Sequence, residues 1–306
     1  MSGIIFIAYD VETASENSAG FLRGAQELHR EFGIPWTVFF TGKTIAQRTA
    51  DCLRVAGDPL VTPAQHTYNH VLLKSVYMEP HDGKVCREGG KATFFNAGGS
   101  LEQIAEELSR TQEIFEKTFG RTCRGLTGPW GYYRGLKDRP DILRLVEHAG
   151  LRWLRTDARD YRDCQPVPLE LQPYFYAEQG FPEILECPVQ GYQDDFYWER
   201  FDDRAHGPRC EDYQLWALAE AAKSHRVFTI NSHDHGTPTP EAFHATKGRW
   251  LRAVLERGRK LDARFMGYED YYQMRRVASG EWRVAKRRSA KTHRAAEPQP
   301  KPMVKR

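Results

Sequence analysis

Two histidines four residues apart, His66 and His70 in QHTYNH, and two carboxylates two residues apart, Asp10 and Glu12 in IIFIAYDVET, are the side chains here best suited to chemistry. Imidazoles at this spacing share one face of a helical turn and can converge equally well from a tight loop. An added oxygen ligand would complete an open metal site, with protein donors on one side and positions for water and substrate on the other. Asp10 and Glu12 close an apolar run, so both emerge at the end of a strand, on one face if the chain stays extended. A histidine pair alone is often only packing or surface; its combination with a strand-end acidic pair points to metal binding. Two further clusters also follow apolar runs: Asp157 and Asp160 in DARDY, and His233 with His235 in SHDH.

The elements that must position these groups follow from periodicity. Gly3–Tyr9 is a continuous apolar run, as expected of a strand buried on both faces. Ser18–Phe32 has helical spacing, and WTVFF at 36–40 is a second strand. This β-α-β order argues for parallel strands with a crossover helix. A helix over Lys43–Val55 follows. Residues 71–99 are rich in Gly and Lys and show no period, which suggests a lid or substrate loop. Ser100 caps a strong helix ending at Gly120, with Gln103 at the capping-box position. Beyond it the pattern predicts a short strand at Arg124–Thr127 opening into the loop GPWGYYRG, then a helix over Asp138–Ala149. Strands at Leu151–Thr156, Ile184–Val189 and Val227–Asn231 come next, with a helix over Asp212–Ser224. A helix over Pro240–Leu261, a strand at Arg264–Gly267 and a short helix over Glu269–Arg275 complete the pattern. Repeated β-then-α units indicate a barrel or an open parallel sheet, and in a barrel the polar groups after the strands gather on the face where active sites form.

Composition narrows the class. The 306 residues are 40% hydrophobic and 28% charged, with no apolar run near the ~20 residues of a membrane span. The N-terminus lacks a basic n-region and a small-residue cleavage site, so no signal peptide is read and a cytoplasmic location is expected. Six cysteines without a C-x-x-C pair are expected to be scattered thiols. From Arg283 to Arg306 there are nine Lys/Arg against Glu297, while the net charge is only +3. The body is therefore acidic overall and shows no nucleic-acid footprint. Residues 1–280 are expected to form one domain. Residues 281–306 are expected to be a basic, disordered tail that could touch a membrane surface peripherally.

In this order, the segments resemble the NodB-type polysaccharide deacetylase family over residues 3–275. His66-Thr67-Tyr68-Asn69-His70 meets its H-[S/T]-x-x-H motif and Asp157-Ala158-Arg159-Asp160-Tyr161 its D-x-x-D-[W/Y] motif. AYDVE stands for T-F-D-D-G, Thr127-Gly128-Pro129-Trp130 for R-x-P-[Y/W], and Asn231-Ser232-His233 for L-x-H. The resemblance implies a single-domain α/β fold, a distorted (β/α)7 barrel. It implies metal-dependent hydrolysis of an N-acyl group, acetyl or formyl, on an amino sugar. The cofactor implied is a divalent metal, Zn2+ first, with Co2+, Ni2+, Fe2+ or Mn2+ as alternatives. Asp10 takes the place of the general base. Because the second motif carboxylate falls on Val11, Glu12 takes the ligand role beside His66 and His70. His233 is the implied general acid, with Asp160 orienting it, and Trp130, Tyr161 and Asn231 would contact substrate.

Two departures stand out. Thr127 occupies the position of the arginine that braces the base, for which Arg124 or Arg134 are candidate substitutes. Asn231 occupies that of a leucine against the acyl methyl, which suits a small or polar acyl group and the formamido-sugar deformylase branch. The expected partner is an amino-sugar small molecule, a nucleotide sugar or a lipid-linked glycan. Two other readings stand beside this one: a cyclic amide or ureide hydrolase on the same fold, and an inactive sugar-binding barrel.

Overall fold

The computed structural model describes residues 2–78, 94–193, 198–199 and 204–278. The barrel begins with β1 (Ile4–Val11), α1 (Glu16–Phe32), β2 (Trp36–Phe40), α2 (Gly42–Gln47), α3 (Thr49–Ala56) and β3 (Val61–Gln65). A two-stranded hairpin, β4 (Val76–Met78) with β5 (Phe94–Asn96), lies apart from the main sheet. Next come α4 (Leu101–Phe119), β6 (Gly125–Tyr133), α5 (Pro140–His148), β7 (Trp153–Arg159), β8 (Tyr174–Tyr176) and β9 (Phe181–Glu186). The described chain ends with α6 (Cys210–Lys223), β10 (Val227–His233), α7 (Pro240–Ala245), α8 (Lys247–Lys260), β11 (Arg264–Phe265) and a helix over 268–278.

Seven strands run parallel in the order β10-β1-β2-β3-β6-β7-β9, with β8 antiparallel beside β9 and the short β11 parallel to the first residues of β1. This is the mixed α/β, single-domain, NodB-like architecture that the resemblance implies. The ladder is not continuous around the barrel, which accounts for the distortion. Between β8 and β10 glutamine side chains replace backbone pairing. Gln172 bonds both the N–H and the C=O of Val227, and Gln190 bonds Leu171 C=O and Thr229 N–H. Each amide offers a donor and an acceptor, so it can satisfy an exposed strand edge that would otherwise bury unpaired groups.

The barrel interior is filled from below by aromatic rings. Phe6 lies 4.4 Å from Tyr268, Trp153 stacks on Tyr268 at 5.4 Å, and Phe39 meets both Trp153 and Tyr268 edge-on. These centroid distances are those of favourable aromatic pairs. Glu269 ties the lower end by accepting from Trp153 Nε1 and Arg124 Nη1, both at 2.7 Å.

Several sequence expectations change. The stretch read as the loop GPWGYYRG belongs to β6, which stays paired with β7 through register shifts between Thr127 and Tyr133. The irregularity rests on Trp130 and Gly131, both with positive φ, and a Cβ at Gly131 would lie 2.4 Å from Ala158 Cβ. The expected helices over 43–55 and 240–261 each divide in two, near Arg48 and Thr246. Part of the excursion at 71–99 is the β4–β5 hairpin; residues 79–93 lie outside the described residues, as do the tail at 279–306 and its expected membrane contact. The expectation of six scattered thiols is corrected: Cys164 is disulfide-bonded, while Cys52, Cys123, Cys187 and Cys210 lie outside any disulfide. Among the described residues no helix is long and apolar enough to cross a membrane.

Candidate active site

Every strand-end group singled out above lies toward the C-terminal ends of the parallel strands, because parallel strands deliver all their following loops to one face. Asp10, near the end of β1, is the register partner of His233 at the end of β10. That pairing brings residues 223 positions apart onto adjacent strands, and His233 Nε2 lies 3.4 Å from Asp10 Oδ2. A nitrogen facing a carboxylate oxygen carries its proton in such a contact.

Glu12, His66 and His70 converge. Glu12 Oε2 lies 3.1 Å from His66 Nε2 and 2.9 Å from His70 Nε2, and one ligand atom from each residue falls within 4.8 Å of the others. Three lone-pair donors aimed at one point repel unless a cation or protons lie among them. The set of two imidazoles and one carboxylate therefore fits a divalent ion. The wiring of His66 agrees with this fit. Its Nδ1 lies 3.0 Å from Thr127 C=O, an acceptor only, so the proton sits on Nδ1 and Nε2 keeps its lone pair.

The loop that presents His70 is held under strain. Thr67 and His70 have φ of 57° and 62°, and a β-branched residue in this region is a backbone outlier. Thr67 C=O accepts from Gly42 N–H, and Tyr68 C=O from Lys43 N–H. Glu107, buried on α4, accepts from Asn69 N–H at 2.6 Å and from Asn69 Nδ2 at 2.7 Å. Glu12 is fixed from the other side. Buried Asp234 accepts from the N–H groups of Glu12 and Thr13 and from the hydroxyls of Thr13 and Ser18, while His235 Nε2 lies 2.9 Å from Glu12 Oε1. Burial would push the Glu12 carboxyl up; its bond to His235, and those that His66 and His70 make when protonated toward it, outweigh this and hold it well below the usual carboxylate range.

A group that the sequence reading missed lies beneath this site. Arg155, on β7, is 1% exposed; its Nη2 donates to Asp10 Oδ1, its Nη1 to Asn231 Oδ1, and its Nε to Thr127 Oγ1 at 3.0 Å. Burial alone would raise the pKa of Asp10, but the Arg155 guanidinium, then His66 and His233, hold it below the ordinary value. Arg124, one of the two substitutes considered for the missing brace, is engaged with Glu269 at the other end of the barrel. One signal was available: an arginine two residues after Trp153 in an otherwise buried strand must find a partner.

Asp160 is placed differently from its expected role beside His233. Its carboxylate accepts from the N–H groups of Arg162 and Cys164 and pairs with the Arg162 guanidinium at 3.1 Å. It is the cap of its own turn, as short acidic side chains commonly are. Of the residues expected to touch substrate, Trp130 is half-buried, Tyr161 is 73% exposed, and Asn231 is buried with its amide oxygen taken by Arg155. Asp157, also in the D-x-x-D motif, is buried on β7. It accepts from Tyr174 Oη at 2.9 Å, and burial together with nearby Glu186 pushes its pKa up to about 7.

Residues 7–152 match the polysaccharide deacetylase family, which shows the likeness that the motifs imply. No curated protein gives a significant match. Among solved structures, a protein assigned as a polysaccharide deacetylase from Mycobacterium smegmatis superimposes with a TM-score of 0.61 at 14% identity, covering 91% of this chain and 92% of that one. The PuuE allantoinase gives 0.59 at 14% identity over 88% and 89% of the two chains. A protein likewise assigned as a polysaccharide deacetylase, from Pseudomonas aeruginosa PAO1, gives 0.58 at 16% identity over 88% and 89%. At these identities the superpositions establish a shared fold.

Proposed function

We propose that this chain, whose residues 7–152 match the polysaccharide deacetylases, is a hydrolase that removes an N-acyl group, acetyl or formyl, from an amino-sugar compound. The observation that carries the reading is the convergence of Glu12, His66 and His70 beside the Asp10–His233 pair. Glu12, His66 and His70 would hold a divalent cation, Zn2+ being the first choice for two imidazoles and a carboxylate. When bound, the cation supplies Lewis acidity toward an amide carbonyl and an attacking water.

The remaining work falls to the protein's own side chains. Asp10, ionised against Arg155, takes the water's proton at Oδ2, since its Oδ1 is engaged by the guanidinium. His233, with its proton on Nε2, delivers it to the departing amine. Trp130, within the irregular part of β6, and Tyr161, just after β7, offer aromatic faces to the sugar. The arrangement needs one carboxylate charged and one imidazole protonated at the same time, and the close Asp10–His233 contact favours that combination.

The test is a product screen of the protein loaded with Zn2+, Co2+ or Mn2+ against N-acetyl and N-formyl amino sugars, free, nucleotide-linked and lipid-linked, scored by amine release. His70→Ala should lose metal and activity together. His233→Ala should keep metal and lose turnover; normal turnover in that variant would remove His233 from its role. A second reading, hydrolysis of a cyclic amide or ureide, draws on the fold shared with the allantoinase and on the polar Arg155–Asn231 pair under the site. Ring amides included in the same screen separate the two.

A further inference from the structure

Arg155 crosses the barrel interior. It rises from β7, yet the groups it bonds belong to β6, β1 and β10. A guanidinium buried this completely is costly unless every direction of its fork is met. Here Nε, Nη1 and Nη2 each have an acceptor, and the Phe39 ring lies 4.6 Å beneath the guanidinium carbon. The ring blocks descent into the aromatic plug, so the planar group is held at one height by the partners around it.

The consequence falls on Asp10. Oδ1 is engaged by Nη2, whereas Oδ2 faces His233 at 3.4 Å and Asn231 Nδ2 at 3.5 Å. Asn231 is in turn oriented by Arg155, because Nη1 takes its amide oxygen and leaves its NH2 group toward Asp10. One guanidinium therefore sets both the rotation of the carboxylate and the amide beside it. Thr127 completes the arrangement: its hydroxyl donates to Arg155 C=O at 2.8 Å and accepts from Arg155 Nε. A larger side chain at 127 would occupy the space through which Nε reaches it.

We propose that Arg155 is the positioning residue for Asp10, acting with Thr127 and Asn231 as one unit that engages Oδ1 and turns Oδ2 toward His233. This inference rests on the reading of Asp10 as the base. A misplacement of about 1 Å in such a group can cost on the order of 100-fold in rate.

The experiment compares Arg155→Ala, Arg155→Lys, Thr127→Arg/Arg155→Ala and Asp10→Asn on the substrate found in the screen, with bound metal measured in each. Arg155→Ala should lower kcat about 100-fold while KM and bound metal stay within about threefold. Lysine should recover little, because a point charge cannot fork. Added guanidinium ion should restore part of the Arg155→Ala rate, and the double variant, which returns a guanidinium from the neighbouring strand, should exceed Arg155→Ala alone. Arg155→Ala with full kcat, while Asp10→Asn is inactive, would overturn the inference and leave the proposed function standing. Full activity in Asp10→Asn would instead overturn the role of the base. If Arg155→Ala fails to fold, Arg155→Lys decides: folded with wild-type metal content and full kcat while Asp10→Asn is inactive, it refutes the positioning role.

Discussion

Glu107→Ala should weaken metal binding at a site that Glu107 does not touch. The carboxylate is buried on α4 and its two oxygens hold Asn69, one residue before His70. Both belong to a loop with two non-glycine residues at positive φ, Thr67 and His70. Each such residue costs on the order of 1–3 kcal/mol, so the loop keeps this shape only while its surroundings enforce it. A hydrogen bond to a charged group contributes about 1.5–3 kcal/mol. Asn69 is exposed, and water can replace part of what is lost. Taking the two bonds together at about 1.5–3 kcal/mol, and assuming the loss falls on the placement of His70, the metal Kd should rise roughly 10- to 100-fold. The assay is a competition titration of Zn2+ against a chromogenic chelator, run beside thermal unfolding of the metal-free protein. Glu107→Gln, which keeps one acceptor, should fall between. A lower Tm with an unchanged Kd would refute the reasoning, because the clamp would then support the fold without reaching His70.

Other outcomes follow from neighbouring groups. Asp157 has its pKa pushed up from 3.8 to about 7, first by burial and then by Glu186. Between those values the folded state holds a proton that the unfolded state has released, so stability falls as pH rises from about 4 to about 7 and is flat above. Asp157→Asn should remove that loss, raising stability at pH 8 by up to about 4 kcal/mol, with the gain shrinking toward pH 4; a gain independent of pH in thermal melts would contradict the assignment. His235→Ala removes one exposed bond to Glu12 and should weaken metal retention less than about tenfold. Glu12→Gln, which removes the ligand charge itself, should weaken it far more, and equal effects in chelator competition would show that Glu12 acts through His235.

The candidate ligand set was legible in the sequence because its signal is local. Asp10 and Glu12 close an apolar run, His66 and His70 share one short segment, and their types already state what they can bind. The β-then-α order was legible for the same reason, since hydrophobic period is a property of neighbours along the chain. Boundaries were less so: β6 continues through GPWGYY because Gly131 and a positive φ at Trp130 let an irregular strand remain paired with β7.

The pairing of charges was decided by tertiary structure alone. Asp160 matches a motif position, yet it caps its own turn against Arg162. Arg155 matches none of the motif positions, yet it reaches Asp10 across 145 residues. Glu107 and Asp234 read as ordinary helix and loop acids and are the buried acceptors that hold the two ligand loops. Residue type states which bonds a side chain is able to make. Which partner it finds depends on strand register, on the direction each side chain takes from its strand, and on which strands neighbour one another in the sheet. Those are relations between distant segments, so they become definite only once the barrel has formed.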